Sequence, residues 1–250
     1  MKSLARVLFA VLAIVAGGFS LFGCASVQRK LLYFPSHLDL STGLTPWLHE
    51  GHIIGYAREV PSPKIVWLML HGNGGQAAHR ASALPCFSRE DSVYILEYPG
   101  YGLRNGTPSI KSINEAAATA YDLLLKSFPN SPICIVGESL GSGPACFLAS
   151  NPRPPAKLVL IVPYDELARV AAEHYPFLPV RLILHDNWNN LSALSNYRGP
   201  LEIYAEKFDT VIPTAHARAL AATKPQTIFH ELIGGHNDWT QDSAVQIRNP

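Results

Sequence analysis

The order of apolar runs along this chain predicts an α/β domain built on a mostly parallel, doubly wound sheet. Three observations carry that expectation. Apolar, β-branched runs recur at 52–60, 65–70, 93–98, 132–136, 158–162, 201–205 and 227–233. Several are nearly continuous in apolar character, as strands covered on both faces must be. Stretches with helical spacing separate them. Residues 112–128 set Ile113, Ala116, Ala117, Ala120, Leu123, Leu124 and Phe128 at that spacing, and 140–150 and 214–223 read the same way. Strand alternating with helix implies parallel strands joined by crossover helices. Ligands in such sheets bind beyond the carboxyl ends of the strands. The chemistry is therefore expected in segments that directly follow strands.

With 250 residues and 48% hydrophobic composition, the chain can bury the core of one domain. Charged residues are 16% and the formal net charge is +1, with no Lys/Arg cluster to track a phosphate backbone. Nucleic acid is therefore not an expected partner. Lys2 and Arg6 precede an uncharged stretch at 7–28, apolar over 7–22. That length is short for a spanning helix and suits a signal peptide, with an uncleaved N-terminal anchor as the rival over 1–23. It ends in Leu21-Phe22-Gly23-Cys24-Ala25-Ser26, which is similar to the lipobox of bacterial lipoproteins. Cys24 is the lipidation candidate, although Phe22 departs from the small or modest residue usual two positions before it. Ala25 and Ser26 lack the Asp that often retains such proteins at the inner membrane. The expected location is membrane-associated, in the bacterial cell envelope and facing the periplasm.

Residues 24–44 read as a linker and 45–250 as the folded domain. Cys86, Cys134 and Cys146 are odd in number and lie in apolar or Ala-rich runs, so buried free thiols are expected. Residues 163–199 break the alternation with aromatic and polar residues and with Pro176 and Pro179. They read as a short cap or lid, with an ordinary helix-and-loop excursion as the alternative.

The strongest local signal is Ile133-Cys134-Ile135-Val136-Gly137-Glu138-Ser139-Leu140-Gly141. An apolar strand feeds a Gly-x-Ser-x-Gly turn that opens onto a helix. A nucleophilic Ser needs a sharp strand-to-helix turn that lifts its hydroxyl to the top of the sheet. Flanking glycines let neighbouring backbone approach, and the helix N-terminus offers N–H groups to a developing oxyanion. The pattern alone is short enough to arise by chance. Its strand–turn–helix context makes Ser139 the candidate nucleophile, with a structural turn as the alternative.

Two further candidates follow in chain order. Asp209 lies in the loop after the run at 201–205 and just before a helix; a helix cap is its bland alternative. Glu206, Asp238 and Asp165 are rivals for the acid, and Asp238 is too close in sequence to His236 to reach it from a separate strand. His236 follows the last strand within Gly234-Gly235-His236-Asn237-Asp238. Ser, then acid, then His is the order that a catalytic triad of this kind takes. His236 would serve as general base, and Asp209 would fix its tautomer.

The run at 65–70 leads into His71-Gly72-Asn73-Gly74-Gly75, a loop suited to one oxyanion-hole donor. The backbone N–H groups of Asn73 and Leu140 are the expected pair, and His71 is expected to brace the loop. A glycine-rich turn or a phosphate cradle is the alternative, and the latter lacks the Gly-Lys-Ser/Thr of a P-loop. Leu48-His49-Glu50-Gly51-His52 looks superficially like a zinc-protease signature. Its two His are one residue too close for metal binding on a helix, so it reads as structural. No metal ligand set and no dinucleotide fingerprint occurs, so no metal or cofactor is expected.

Taken in order, His71-Gly72-Asn73-Gly74, Tyr98-Pro99-Gly100-Tyr101-Gly102, Gly137-Glu138-Ser139-Leu140-Gly141, Asp209-Thr210-Val211-Ile212-Pro213 and Gly235-His236-Asn237-Asp238 resemble the BEM46-like or ABHD13-like α/β-hydrolases, also called serine aminopeptidase S33-like. The likeness spans about residues 30 to 245. It implies an α/β-hydrolase fold, membrane association, and esterase, lipase or thioesterase activity on a small-molecule or lipid-like acyl substrate. An amide or peptide bond is the alternative target. A membrane-tethered binding protein with an idle site is the alternative of another class.

Overall fold

The computed structural model describes residues 25–38 and 40–248. The segment at 1–23 and the lipidation candidate Cys24 lie outside the described residues. Eight strands form one sheet: β1 (Thr45–His49), β2 (His52–Arg58), β3 (Val66–Leu70), β4 (Ser92–Leu96), β5 (Ile133–Glu138), β6 (Leu158–Ile161), β7 (Leu201–Glu206) and β8 (Ile228–Leu232). Their order is β1-β2-β4-β3-β5-β6-β7-β8. β2 pairs antiparallel with β1 and β4, and every other pairing is parallel. The fold is that of the α/β hydrolases.

Alternation along the strands builds a core on each face. Val66, Leu68 and Leu70 share one face with Ile135, Leu160 and Ile203. Helices α2 (Ile110–Ser127) and α3 (Ser142–Ala149) cover it. Trp67 and Met69 point the other way with Cys134, Val136, Val159 and Ile161. A 3₁₀ segment (Ala77–Cys86) and a 3₁₀ turn (Trp239–Gln241) close that side. Ser109 starts α2 by accepting a hydrogen bond from the Ser112 N–H at 3.0 Å. Cys86, Cys134 and Cys146 are buried free thiols.

The structure departs from the sequence reading in four places. β1 is an added edge strand, joined to β2 by a two-residue turn with positive φ at Glu50 and Gly51. Such a turn matches the twist of a hairpin, and it accounts for the false metal signature. The helix expected over 140–150 splits into a 3₁₀ turn (Ser139–Gly141) and α3, because the chain must bend before the helix proper. The 3₁₀ segment at Ala77–Cys86 has no helical periodicity to announce it and contains Pro85. The stretch read as a linker contains helix α1 (Ala25–Leu32). Eight residues do not hold a helix alone. This one is pinned by Arg29, whose guanidinium reaches both oxygens of buried Asp186 at 2.9 and 3.1 Å, and by Tyr33, whose hydroxyl donates to Asp186 at 2.9 Å.

Residues 163–199 hold three short helices, α4 (Leu167–His174), α5 (Val180–Ile183) and α6 (Asn190–Leu194). Helix α7 (Thr214–Ala222) precedes β8. No helix among the described residues is long and apolar enough to cross a membrane.

Candidate active site

Ser139 sits where β5 ends, with φ at +51°. A non-glycine residue rarely adopts this conformation, and the bend separates strand from helix within one residue. The flanking glycines are required by contact. A Cβ on Gly141 would stand 2.1 Å from the carbonyl oxygen of Leu70, and one on Gly137 would stand 2.5 Å from the Cβ of Ala145. The Gly-x-Ser-x-Gly spacing is therefore a packing requirement of strand β3 and helix α3 against the turn.

The three sequence candidates converge. The Ser139 Oγ lies 2.9 Å from His236 Nε2, and His236 Nδ1 lies 2.7 Å from Asp209 Oδ2. An ionised carboxylate only accepts, so Nδ1 carries the proton and donates to Asp209. That tautomer leaves Nε2 with a lone pair facing the Ser139 hydroxyl. The other Asp209 oxygen accepts from the Val211 and Ile212 N–H groups, both at 2.8 Å. These bonds hold the carboxylate in one orientation before the imidazole is considered.

The rival acids are engaged elsewhere. Asp165 accepts from His216 Nδ1 at 2.7 Å and pairs with Arg169. Asp238 accepts from the Gly235 N–H at 2.8 Å, closing its own turn. Glu206 is buried at the end of β7, and neither of its oxygens has a hydrogen-bond partner. Burial first, and then the nearby carboxylates Asp238, Asp242 and Asp209, push its carboxyl up to about 7.

The loop after β3 is braced from several sides. The Tyr98 hydroxyl donates to the His71 carbonyl at 2.8 Å, and the His71 ring packs on Tyr98 with centroids 4.2 Å apart. His71 Nε2 lies 3.2 Å from Glu97 Oε1, and Glu97 also accepts from the Ala77 N–H at 3.1 Å. A Cβ on Gly102 would lie 2.1 Å from Glu97 Oε2. The Tyr-Pro-Gly-Tyr-Gly motif is thus the buttress of this loop. The Asn73 side chain donates to the Leu32 carbonyl at 2.6 Å and accepts from Tyr101 Oη at 2.8 Å and the Phe34 N–H at 2.9 Å. Asn73, Ser139 and Leu140, the middle residue of the 3₁₀ turn, line one pocket.

Sequence reasoning did not find the link between this loop and the serine turn. Glu138, buried beside Ser139, forms a two-pronged ion pair with Arg80. It also accepts from the Gly72 N–H at 3.1 Å and Trp239 Nε1 at 3.3 Å. Burial alone would raise its carboxyl. The Arg80 charge and these donors outweigh that and hold it below its ordinary value. The only signal in the sequence was a charged residue at the x before Ser; nothing marked Arg80.

Two cavities meet at Ser139. One, of about 570 Å³, sets polar side chains such as Arg80, Ser82, Asn237 and Thr240 beside Phe34, Val211 and Trp239. The other, of about 440 Å³, is walled by Leu32, Leu167, Val170, Ala171, Tyr175 and Ile212. Among the described residues no cluster of His, Cys, Asp and Glu could hold a metal ion.

A serine, a histidine and an aspartate linked by two hydrogen bonds at the carboxyl ends of a mostly parallel sheet define the arrangement of an α/β-hydrolase site. The comparisons with known proteins agree with that class. The chain is 31% identical over 248 residues to the protein Rv2307c of Mycobacterium tuberculosis, covering 92% of this chain and 87% of that one. It is 26% identical to the α/β hydrolase domain-containing protein WAV2 of Arabidopsis thaliana, over 92% of this chain and 89% of that protein. It is 27% identical to a lysophosphatidylserine lipase of Danio rerio, over 72% of this chain and 52% of the lipase. Among solved structures, the Pyrococcus furiosus esterase Pf2001 superposes with a TM-score of 0.63 at 14% identity, over 83% of this chain and 95% of that one. No protein-family model matches the chain. The chain belongs to the α/β-hydrolase superfamily.

Proposed function

We propose that this chain is a serine hydrolase that cleaves a carboxylic ester or thioester through an acyl-enzyme. The observation that carries the proposal is the 2.9 Å approach of Ser139 Oγ to His236 Nε2. His236 takes the hydroxyl proton as Ser139 attacks the carbonyl carbon, and the N–H groups of Leu140 and Asn73 receive the oxyanion. The proton then passes from Nε2 to the departing alcohol or thiol, leaving the acyl group on Ser139. Water repeats the sequence and releases the acid. Asp209 holds the tautomer and stabilises the imidazolium throughout.

The apolar cavity favours an acyl group with hydrocarbon character, and the mixed one, with Arg80, Asn237 and Thr240 in its wall, favours the leaving group. The name of the zebrafish relative, a lipase, points the same way. The helices at 163–199 act in this reading as a cap over the site, since α4 walls the apolar cavity. Membership of the BEM46-like or ABHD13-like group and attachment to the envelope through Cys24 belong to the same proposal. They rest on the ordered motifs and on the lipobox-like run.

The test is labelling with a fluorophosphonate, followed by a panel of p-nitrophenyl esters, thioesters and aminoacyl anilides. Ser139→Ala should lose both label and turnover while its circular dichroism stays that of the parent. Full ester turnover by that variant would overturn the proposal, and preference for anilides would move the bond class to amides. Cys24→Ala should release the protein from membranes; retention with no lipid label in the parent would overturn the anchoring.

A further inference from the structure

A second apolar groove adjoins the apolar cavity beside Ser139. Leu31, Leu32, Phe34, Ala171 and Tyr175 line both, and the groove, of about 320 Å³, runs between α1 and the α4–α5 segment. The segments that line this groove also carry large apolar side chains that face solvent. Phe177 is 97% exposed, Leu182 88%, Tyr175 60% and Leu31 59%. Single exposed apolar residues are ordinary on a soluble surface, whereas a patch of this kind marks a site of contact.

Two features of the molecule say what covers it. Lys30 and Arg181 are exposed and adjoin Leu31 and Leu182 in sequence, and neither has an ion-pair partner among the described residues. Cations around apolar tips complement an anionic lipid surface. Helix α1 begins at Ala25, just after the apolar run at 7–22. The patch therefore lies where the most apolar segment of the chain joins the folded domain. Arg29 and Tyr33 on Asp186, with Asn73 on Leu32, hold that end in place.

We propose that the lip formed by α1 and α4–α5 rests on an anionic bilayer, and that the groove carries the acyl chain of a membrane lipid from the bilayer to Ser139. The acyl route rests on the hydrolase reading; the docking does not. In this arrangement the ester stops at the serine while its hydrocarbon tail stays in an apolar channel from membrane to site, so the chain is never released to water.

The experiment uses the full chain in vesicles of phosphatidylethanolamine and phosphatidylglycerol with brominated acyl chains. In Phe177→Trp the introduced indole should be quenched by bromine beyond the signal of the four native tryptophans. An unquenched indole overturns the docking, including the case where the run at 7–22 covers the lip itself. In the second arm, the double substitution Phe177→Asp with Leu182→Asp replaces side chains that pack on little. It should lower turnover of a long-chain monoacyl lipid in vesicles by about tenfold or more, the scale of losing two large apolar anchors. Turnover of p-nitrophenyl acetate should be unchanged. Equal rates on the vesicle substrate, or an equal fall on both, overturn the acyl route. Quenching in a protein that takes no fluorophosphonate label would support the docking and remove the hydrolase reading alone.

Discussion

Replacing Glu206 by Gln isolates a carboxyl that the fold buries without a partner. Both oxygens are unbonded, Gly234 packs against the side chain, and Asp238, Asp242 and Asp209 add negative charge nearby. Burial and these neighbours raise the carboxyl from an ordinary 4.5 to about 7. The native state therefore keeps a proton that the unfolded chain gives up. Between those two values the folded form binds more protons than the unfolded one, so this group makes stability fall as pH rises. At 1.36 kcal/mol per pH unit the full interval is worth about 3 kcal/mol. Glu206→Gln mimics the protonated form at every pH. It should match the parent below pH 4.5, gain on it steadily through the interval, and exceed it by about 2–3 kcal/mol above pH 7. Urea unfolding of both proteins across that range, at fixed ionic strength, measures the difference directly, and titrations common to the two cancel. A variant no more stable than its parent at pH 8, or stabilised equally at all pH, would refute the reasoning.

Three other substitutions test separate parts of the site. Asp209→Asn should lower kcat by about 10³–10⁴ on any substrate found, because an amide no longer selects the Nδ1–H tautomer; steady-state kinetics with KM little changed would bear this out. Arg80→Ala should cost about 3–5 kcal/mol at neutral pH, since it strands the buried Glu138 carboxylate. That loss should shrink as the medium is acidified and Glu138 takes up a proton, which parallel urea titrations can follow. Gly141→Ala should destabilise by at least about 1–3 kcal/mol, because its methyl group meets backbone rather than a movable side chain; thermal unfolding reads the loss.

Much of the architecture was readable along the chain because its signals are local. Seven of the eight strands announced themselves as apolar runs; β3 to β7 are buried along their whole length, and β2 and β8 in part. β1 did not, because none of its residues is buried. The serine turn was legible for the same reason as the strands. Its positive φ and its two close backbone approaches act within a few residues, so they leave a fixed spacing of glycines. Asp209 and His236 were found through chain order, which the topology of a wound sheet imposes on any residue that must reach the same edge.

Contacts between segments far apart left no such trace. Arg80 and Glu138 are 58 positions apart, and Arg29 and Asp186 are 157 apart. Nothing in either local sequence names its partner, because pairing depends on which surfaces meet once the sheet has closed. The same holds for Glu206, whose raised carboxyl comes from three acids and a burial that exist only in the folded chain. Residues 25–34 look like a linker on paper, since eight residues with no buried side chain of their own have no intrinsic claim to be a helix. Docking against Asp186 and Asn73 turns them into a wall of the cavity beside Ser139. Strand content and the serine turn were thus written in neighbouring residues, where sterics and hydrophobic periodicity act. The braces, the cavity walls and the displaced proton arose from long-range packing, where desolvation and charge pairing act.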